Sequence, residues 1–259
     1  MVYDSMSVFS TPAILLHKLD YGDFDLILTF FSLKRGKISL IAKSAKKSTK
    51  RFAGILELFS LVEVVGSMSR GRGLPVLQEA VLQSPFSAIR DDINKTAYAS
   101  YWCELINKWL EENRKQVQLY LLLQHVLSRL DSGGSAAAEL SILFQMRLLS
   151  LSGHGPNLRQ CARCQKQLES IQRNRVFFDI AKGGILCDEC AAGTGGRIRL
   201  SKGTIKQLKW VESGDLKKAS RIRFGPQALE EGLELLEAFV PYIMGLQPRS
   251  LKFLKQIRK

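Results

Sequence analysis

Two pairs of cysteines carry the clearest chemistry in the sequence. Cys161 and Cys164 form one Cys-x-x-Cys pair, and Cys187 and Cys190 form a second, with residues 165–186 between them. Two such pairs can place four sulfurs tetrahedrally around one Zn²⁺, a borderline-soft ion that favours thiolate ligands. Four thiolates leave no open position for substrate or activated water. The spacing therefore predicts one structural zinc ion per chain, bound by these four cysteines, and no catalytic metal.

The alternative is that these cysteines form disulfides or redox-active pairs, or are merely buried. A redox Cys-x-x-Cys pair normally opens a helix after a strand in a thioredoxin-like unit, and neither pair has that setting. Apolar residues at 176–178 and 184–186 instead predict the two strands of a hairpin, with residues 181–183 as its turn. The hairpin favours a zinc-finger or zinc-ribbon unit at about residues 157–196.

Composition and charge narrow the class of function. The chain has 259 residues, with 38 Lys and Arg against 24 Asp and Glu, and a net charge of +14. A charge of this sign attracts polyanions, of which nucleic acid is the most common in a cytoplasm. No apolar run approaches the ~20 residues that cross a bilayer, the N-terminus lacks the form of a signal peptide, and the cysteine usage indicates a reducing compartment. We therefore expect a cytoplasmic protein with no membrane partner.

The first part of the chain has the pattern of short strands separated by turns. Five segments predict strands, at residues 13–19, 24–31, 37–42, 58–65 and 76–82. Gly36 supplies the positive φ that a tight hairpin turn needs. Five short strands with glycine-bearing turns are typical of a small barrel or a sandwich, and five is the strand count of an OB-fold. We expect a five-stranded OB-fold-like β-barrel that forms a DNA-binding domain at residues 1–83.

A basic run lies within this predicted barrel. Eight cations occur with no acid among them before Glu57, namely Lys34, Arg35, Lys37, Lys43, Lys46, Lys47, Lys50 and Arg51. Lysine and arginine on a loop between strands can neutralise phosphates and release counterions, so we predict that these residues contact DNA. The alternative is a solvated loop whose charge only aids solubility.

Three phenylalanines flank the basic run, and a role for them in base stacking is left open. They are Phe30, Phe31 and Phe52. Aromatic side chains of OB-folds stack on the bases of single strands. Adjacent residues of a strand point to opposite faces, however, so at least one of Phe30 and Phe31 is expected in the core.

Beyond residue 84 the apolar period changes from two to 3.6. Three segments predict helices, at residues 93–109, 116–130 and 136–151. Ser135 is the expected N-cap of the third, and a later helix begins at Pro226, where a missing N–H does no harm. We expect a helical domain at residues 84–259 that carries the zinc unit as an insertion, and an α+β multidomain fold overall.

A second basic stretch follows the last cysteine. Its first four cations are Arg197, Arg199, Lys202 and Lys206, with no acid among them. We predict that these four residues form a secondary basic surface. The segment 249–255 is also basic and has an amphipathic pattern, which fits a frayed terminal turn or a binding role equally well.

Catalytic signatures are missing from the sequence. No Gly-x-x-x-x-Gly-Lys-Ser/Thr segment is present, so no nucleotide cofactor is expected. Asp20, Asp23 and Asp25 cluster at a turn and could hold Mg²⁺ in a nuclease, but turns favour aspartate for backbone reasons alone. We expect no catalytic residue and no enzymatic activity.

Several stretches have the form of a known family. They are residues 19–25 at the first turn, 36–43 in the third strand, 144–158 before the first cysteine pair, 183–190 around the second pair, and 249–252 near the C-terminus. Together with the order of barrel, helices and cysteine pairs, these stretches resemble the bacterial RecO recombination mediator family over essentially the whole chain.

The resemblance implies a non-enzymatic role in DNA repair and recombination, in the cytoplasm and associated with the nucleoid. Members of this family bind single- and double-stranded DNA and anneal complementary strands coated by single-strand-binding protein. With RecR they assist loading of the RecA recombinase. The expected partners are therefore DNA, RecR and the C-terminal tail of single-strand-binding protein, with RecA as an indirect partner.

Two other classes of function remain open. A protein-interaction adaptor would bind the acidic tail of single-strand-binding protein at Arg147 or at an apolar groove of the helices, with DNA contact only incidental. A zinc-ribbon RNA-binding or transcription factor would prefer RNA over DNA.

Overall fold

The computed structural model describes residues 8–48, 51–68, 73–192 and 198–258. Of the predicted site residues, Lys50 and Arg197 lie outside these ranges. The chain divides into two compact units, the first ending at Ser132 and the second beginning at Gly133. Among the helices described, none is long and apolar enough to cross a membrane. The predicted domains, 1–83 and 84–259, stay a prediction, because compact packing does not establish which segments fold alone.

The first unit is built on a closed barrel. Its five strands are β1 (Val8–Tyr21), β2 (Asp25–Ser32), β3 (Gly36–Ala42), β4 (Leu61–Ser67) and β5 (Val76–Ser84). They follow the order β1-β2-β3-β5-β4, and neighbours are antiparallel except β3 and β5, which pair in parallel at Ile41 and Val76. The predicted fold class, a five-stranded barrel followed by helices, is confirmed.

The three phenylalanines of the basic region all belong to the core. Phe30 is fully buried inside the barrel, and Phe52 is 4% exposed and packs in the same cluster. Phe31 points to the opposite face of β2, yet it is also fully buried, because the ring of Tyr120 lies edge-on to it at 5.8 Å. All three rings are buried, so none of them is available to stack on a base.

The strand β4 begins later than predicted because the chain kinks before it. Phe59 has a φ of 72°, a left-handed conformation that interrupts a strand. Its N–H donates to the carbonyl of Leu15 at 2.9 Å, and the N–H of Leu15 donates to the carbonyl of Ser60 at 3.1 Å. These bonds fall where the register between β1 and β2 shifts. The kink is thus held by the irregular part of β1.

Three helices complete the first unit. They are α1 (Ser87–Arg90), α2 (Ile93–Trp109) and α3 (Val117–Asp131). The helix α2 starts after Asp92, whose carboxylate accepts two backbone N–H groups. The connection between α2 and α3 lies along β3, where the N–H of Asn113 donates to the carbonyl of Lys37 at 2.8 Å and the hydroxyl of Ser39 donates to Glu112 at 2.7 Å. Both long helices lie within one residue of their predicted bounds.

The second unit combines a small sheet with helices. Its elements are α4 (Ala137–Leu151), β6 (Arg175–Asp179), β7 (Gly184–Leu186), α5 (Asp188–Ala191), β8 (Ile198–Ser201), α6 (Lys202–Ser213), α7 (Leu216–Ala219), α8 (Pro226–Met244) and α9 (Arg249–Ile257). The sheet order is β7-β6-β8, with antiparallel pairs. The predicted hairpin is confirmed as β6 and β7, whereas β8 and α6 were not predicted.

The sheet and helices of the second unit share one core. The helix α4 packs against α6 and α8, and Phe178 of β6 meets Phe239 of α8 edge to face at 5.2 Å. The prediction that Ser135 caps α4 is wrong. Ala136 occupies the N-cap position, because the Ser135 hydroxyl instead donates to the carbonyl of Ser220 at 3.1 Å.

The basic C-terminal segment is a packed helix and not a frayed turn. Leu251 and Leu254 of α9 are buried. Beyond them, Arg258 donates to both oxygens of Glu237 at 2.7 and 2.8 Å. The Glu237 carboxylate is buried, and a buried charge is tolerated only when it is paired and hydrogen-bonded in this way. The pairing fastens the end of the chain to α8.

Gly36→Ala should destabilise the protein more than Gly54→Ala. Both substitutions strain the backbone equally, but only the first also causes a steric clash. Gly36 has a φ of 72°, and an added Cβ would lie 1.8 Å from the carbonyl oxygen of Arg114. Gly54→Ala is the matched control, since Gly54 has a φ of 69° and nothing within 4 Å of its Cβ position. We expect the control to lower the free energy of unfolding by about 1 kcal/mol, and Gly36→Ala by about 2 kcal/mol more. Urea unfolding measures both, and equal losses would contradict the close approach at Gly36.

Candidate nucleic-acid interface and metal centre

The four predicted metal ligands come together in the second unit. The Sγ atoms of Cys161, Cys164, Cys187 and Cys190 all lie within 4.8 Å of one another. The first pair contacts β7, because the N–H of Ala162 donates to the carbonyl of Ile185 in that strand at 2.7 Å. The second pair follows β7 directly and opens the short helix α5, so the expectation that neither pair opens a helix after a strand is wrong for this pair. Its sulfurs nevertheless meet those of the first pair in one cluster. The hairpin therefore positions both pairs, as its sequence predicted.

The cluster has the dimensions and donor set of a tetrahedral thiolate site. The Sγ atoms of Cys164 and Cys187 are 3.7 Å apart, and a tetrahedral site with metal–sulfur bonds of about 2.3 Å separates its sulfurs by about 3.8 Å. Four sulfurs suit a thiophilic divalent ion better than a hard one. Among the described residues this is the one close group of three or more potential ligands. The four cysteines could therefore hold a metal ion.

Local hydrogen bonds favour the thiolate form of one cysteine, which is the form that binds a metal. Burial alone would raise the pKa of Cys161, but the backbone N–H groups of Cys164, Cys187 and Arg163 outweigh it and lower the pKa to about 6. Burial raises the pKa values of Cys187 and Cys190. One thiolate is thus favoured near neutral pH, and a cation is needed to deprotonate the others.

The predicted basic run is divided between the two ends of β3. Lys34 and Arg35 lie in the turn before this strand, and Lys43, Lys46 and Lys47 follow its other end. The strand is seven residues long, which separates the two groups by about 20 Å. The cations therefore form two clusters. We name the second cluster, which consists of Lys43, Lys46, Lys47 and Arg51, the basic loop.

Two carboxylates, one on each side of the β1–β2 turn, contact the basic loop and position it on the barrel. The Nζ of Lys46 lies 3.3 Å from the carboxylate of Asp20 and donates to the carbonyl of Gly22 at 3.1 Å. Asp25 accepts the N–H of Ser44 at 2.7 Å. Asp20 and Asp25, which the sequence offered as weak candidates for a Mg²⁺ site, thus have structural partners.

The other cations of the basic loop differ in how many contacts they make within the protein. The Nζ of Lys47 lies 3.3 Å from the ring centroid of Phe24, and the guanidinium of Arg51 donates to two backbone carbonyls of β5. Within the described ranges Lys43 makes no hydrogen bond or ion pair. All four residues are exposed, although the side chain of Lys46, which pairs with Asp20, is only 28% exposed, so their charge remains accessible to an anion.

The cations at the other end of β3 are less available. Lys34 donates to the carbonyl of Ser10 at 3.1 Å, and Arg35 lies over an aromatic ring of β1. Lys37 donates to the carbonyl of Asn107 at 2.7 Å, and burial lowers its pKa. Lys37 therefore stabilises the carbonyl end of α2. DNA contact by these residues stays a prediction.

The secondary basic surface spans β8 and the start of α6. Lys202 donates to the carbonyl of Ile171, and Arg199 lies 5.8 Å from an aromatic ring centroid of β6. Lys206 is exposed on α6, and Trp210, one turn further on, is 50% exposed. DNA contact at this surface also stays a prediction.

Arg147, the anchor that the adaptor hypothesis named, is held by backbone groups. Its guanidinium donates to the carbonyl of Val211 at 2.8 Å and to the carbonyl of Gly214. Burial lowers its pKa. These bonds engage the guanidinium within the second unit and leave it less free to bind an acidic tail.

The sequence reasoning did not consider two exposed aromatic residues beside the basic loop. Tyr21, the last residue of β1, is 53% exposed, and Phe24, in the turn that follows, is 43% exposed. The available signal was an aromatic residue on each side of Gly22 and Asp23, because residues that flank a polar turn lie at the surface. This end of the barrel thus presents cations and aromatic rings together.

The chain is similar to proteins of one family along nearly its whole length. The family described as Recombination protein O N terminal matches residues 6–86, and the one described as Recombination protein O C terminal matches residues 90–252. Both halves of the chain are therefore covered, barrel and helical part alike.

Curated relatives agree with these matches. The DNA repair protein RecO of Desulfosudis oleivorans is 44% identical over 258 residues, which cover 98% of this chain and 99% of the relative. The DNA repair protein RecO of Desulfatibacillum aliphaticivorans is 43% identical over 255 residues, with the same coverage. Such similarity supports a role in DNA repair and recombination. The chain belongs to the RecO family of DNA repair proteins.

Proposed function

We propose that this protein binds single- and double-stranded DNA through its basic loop and anneals complementary strands coated by single-strand-binding protein. The observation that carries the proposal is the gathering of four exposed cations at one end of the barrel, where Lys46, Lys47 and Arg51 each contact the barrel or its β1–β2 turn. Cations fixed in this way can neutralise phosphates and release counterions. The same contacts serve either kind of DNA, because single and double strands carry the same backbone phosphates.

Annealing of this kind needs no nucleotide cofactor. Two backbones that approach each other repel, and a cationic surface lowers that repulsion. Base pairing then supplies the free energy of the reaction. The secondary basic surface, with Arg199, Lys202 and Lys206, is the proposed site for further phosphate contacts. A catalytic group is not part of this scheme.

Cooperation with RecR in loading RecA, and binding to the tail of single-strand-binding protein, follow from the family resemblance. These partners fit a protein that acts on coated single strands. The alternative function, an adaptor with only incidental DNA contact, would require tail binding to persist after the basic loop has lost its charge. Zinc is the proposed metal of the cysteine cluster, because Zn²⁺ accepts four thiolates in tetrahedral geometry.

Charge reversal in the basic loop should abolish annealing without unfolding the protein. The triple variant Lys43→Glu, Lys46→Glu, Lys47→Glu removes the loop's lysines, whereas the equal-charge control changes Lys108, Lys115 and Lys182 to Glu, three exposed lysines elsewhere. Annealing of complementary oligonucleotides coated by single-strand-binding protein should be lost only in the first variant. Lys43→Gln touches no described contact and should lower the slope of affinity against salt by about 1. Normal annealing by the first variant would refute the proposed site.

Salt dependence gives a second test of phosphate binding. If the protein neutralises about six phosphates, the logarithm of the affinity should fall with the logarithm of the salt concentration with a slope of about −5. Fluorescence anisotropy with a labelled oligonucleotide measures this slope. A slope near zero would show that phosphates contribute little to binding.

The purified protein should contain one zinc ion per chain. Cys164→Ser should lose the metal, because it removes one of four thiolates, while Cys103→Ala should keep it, since Cys103 is buried in α2 outside the cluster. Acidification should release the ion, because thiols must be deprotonated to bind and protons compete with the metal as the pH falls. Elemental analysis during a pH titration checks both points. Full metal content in Cys164→Ser would contradict a four-sulfur site.

A further inference from the structure

An apolar surface on the outside of the barrel adjoins the basic loop. Because residues paired across a sheet share a face, the register places Tyr21 opposite Asp25, and Leu19 opposite Ile27, which in turn pairs with Ile41. We name Leu19, Tyr21, Ile27 and Ile41 the platform. Leu19 is 51% exposed and Tyr21 is 53% exposed, while the two isoleucines are half-buried.

The ring of Tyr21 is the part of the platform without a described partner. Its side chain makes no hydrogen bond and no ring contact with any residue that the structure describes. Large side chains that protrude in this way from one surface point to a ligand when a charged rim surrounds them. Here the charged rim is the basic loop, whose first cation, Lys43, comes two residues after Ile41 at the end of β3.

Charge complementarity selects the ligand of the platform. The basic loop suits an anion, while the platform suits a flat apolar group. A single strand of nucleic acid offers both, because its phosphates and the faces of its bases are accessible together. In a duplex the faces of the bases are stacked on one another, so only the cations of the rim can bind it.

We propose that Tyr21 stacks on a base of single-stranded DNA, with Leu19 and Ile27 beside it, and thereby makes this end of the barrel prefer single strands over duplexes. The inference rests on the proposed DNA-binding function and adds its source of discrimination. Phe24 has a different role, because one face of its ring is covered by the ammonium of Lys47 at 3.3 Å. Phe24 positions a phosphate-binding cation, and Tyr21 is the residue open to a base.

The experiment compares tyrosine variants with two DNA probes. Affinities for a labelled oligo-dT and for a labelled hairpin duplex are measured by anisotropy. Tyr21→Ala should lower the affinity for oligo-dT about tenfold, the size of loss typical of one stacked base, and should change the affinity for the duplex less than twofold. Tyr21→Phe should retain single-strand binding, because it keeps the ring. Tyr242→Ala is the matched control, since Tyr242 on α8 is 52% exposed and should affect neither affinity.

The outcomes separate this inference from the function on which it rests. If the wild type binds neither probe, the DNA-binding function itself fails. If the wild type binds both and Tyr21→Ala weakens both equally, or neither, the stacking role is overturned. If the wild type forms a dimer that Tyr21→Ala dissociates with unchanged DNA affinity, the platform is covered by a second copy and the inference is also overturned.

Discussion

An acidic turn fastened to a basic loop is the arrangement on which the proposed DNA site depends. The loop after β3 carries Lys43, Lys46 and Lys47, and like charges of this density repel one another. An exposed ion pair such as that of Lys46 with Asp20 contributes only about 0–1 kcal/mol. The Ser44 N–H donates to the carboxylate of Asp25, and the Lys46 N–H donates to the carbonyl of Phe24 at 3.0 Å, which adds to this stabilisation. Together they give the loop a defined position against the barrel.

Fixing the loop lowers the cost of binding a phosphate backbone. Ordering a long side chain at an interface costs about 0.5–1.5 kcal/mol, and Lys46, Lys47 and Arg51 are already ordered by their own contacts in the barrel. Those contacts also compete with phosphates for the same cations. The fixed geometry of the loop therefore comes with some loss of affinity for DNA. Lys43 has no such competition in the described structure and is the cation most available to DNA.

The sequence predicted those features that depend on local spacing. Cysteine pairs, strand alternation and the 3.6-residue period of α2 to α4 are all local, and the barrel and the cysteine cluster followed from them. Features that depend on distant contacts were missed. Phe59 is kinked by bonds to Leu15, and Ser135 is drawn to Ser220. The basic run is continuous in sequence, but its two parts lie at opposite ends of β3 and are therefore separated in space. Tyr21 was not predicted as a DNA-contact residue, because its exposure in the folded barrel, and not its residue type, makes it a candidate.

Protection of lysines by single-stranded DNA tests the central claim most directly. The protein is treated with an acetylating reagent with and without oligo-dT, and the modified lysines are quantified by mass spectrometry. The account predicts that DNA protects Lys43 and Lys47, while the exposed Lys108 on α2 reacts equally in both samples. Equal reactivity of Lys43 and Lys47 with and without bound DNA would show that the strand lies elsewhere and would contradict the account.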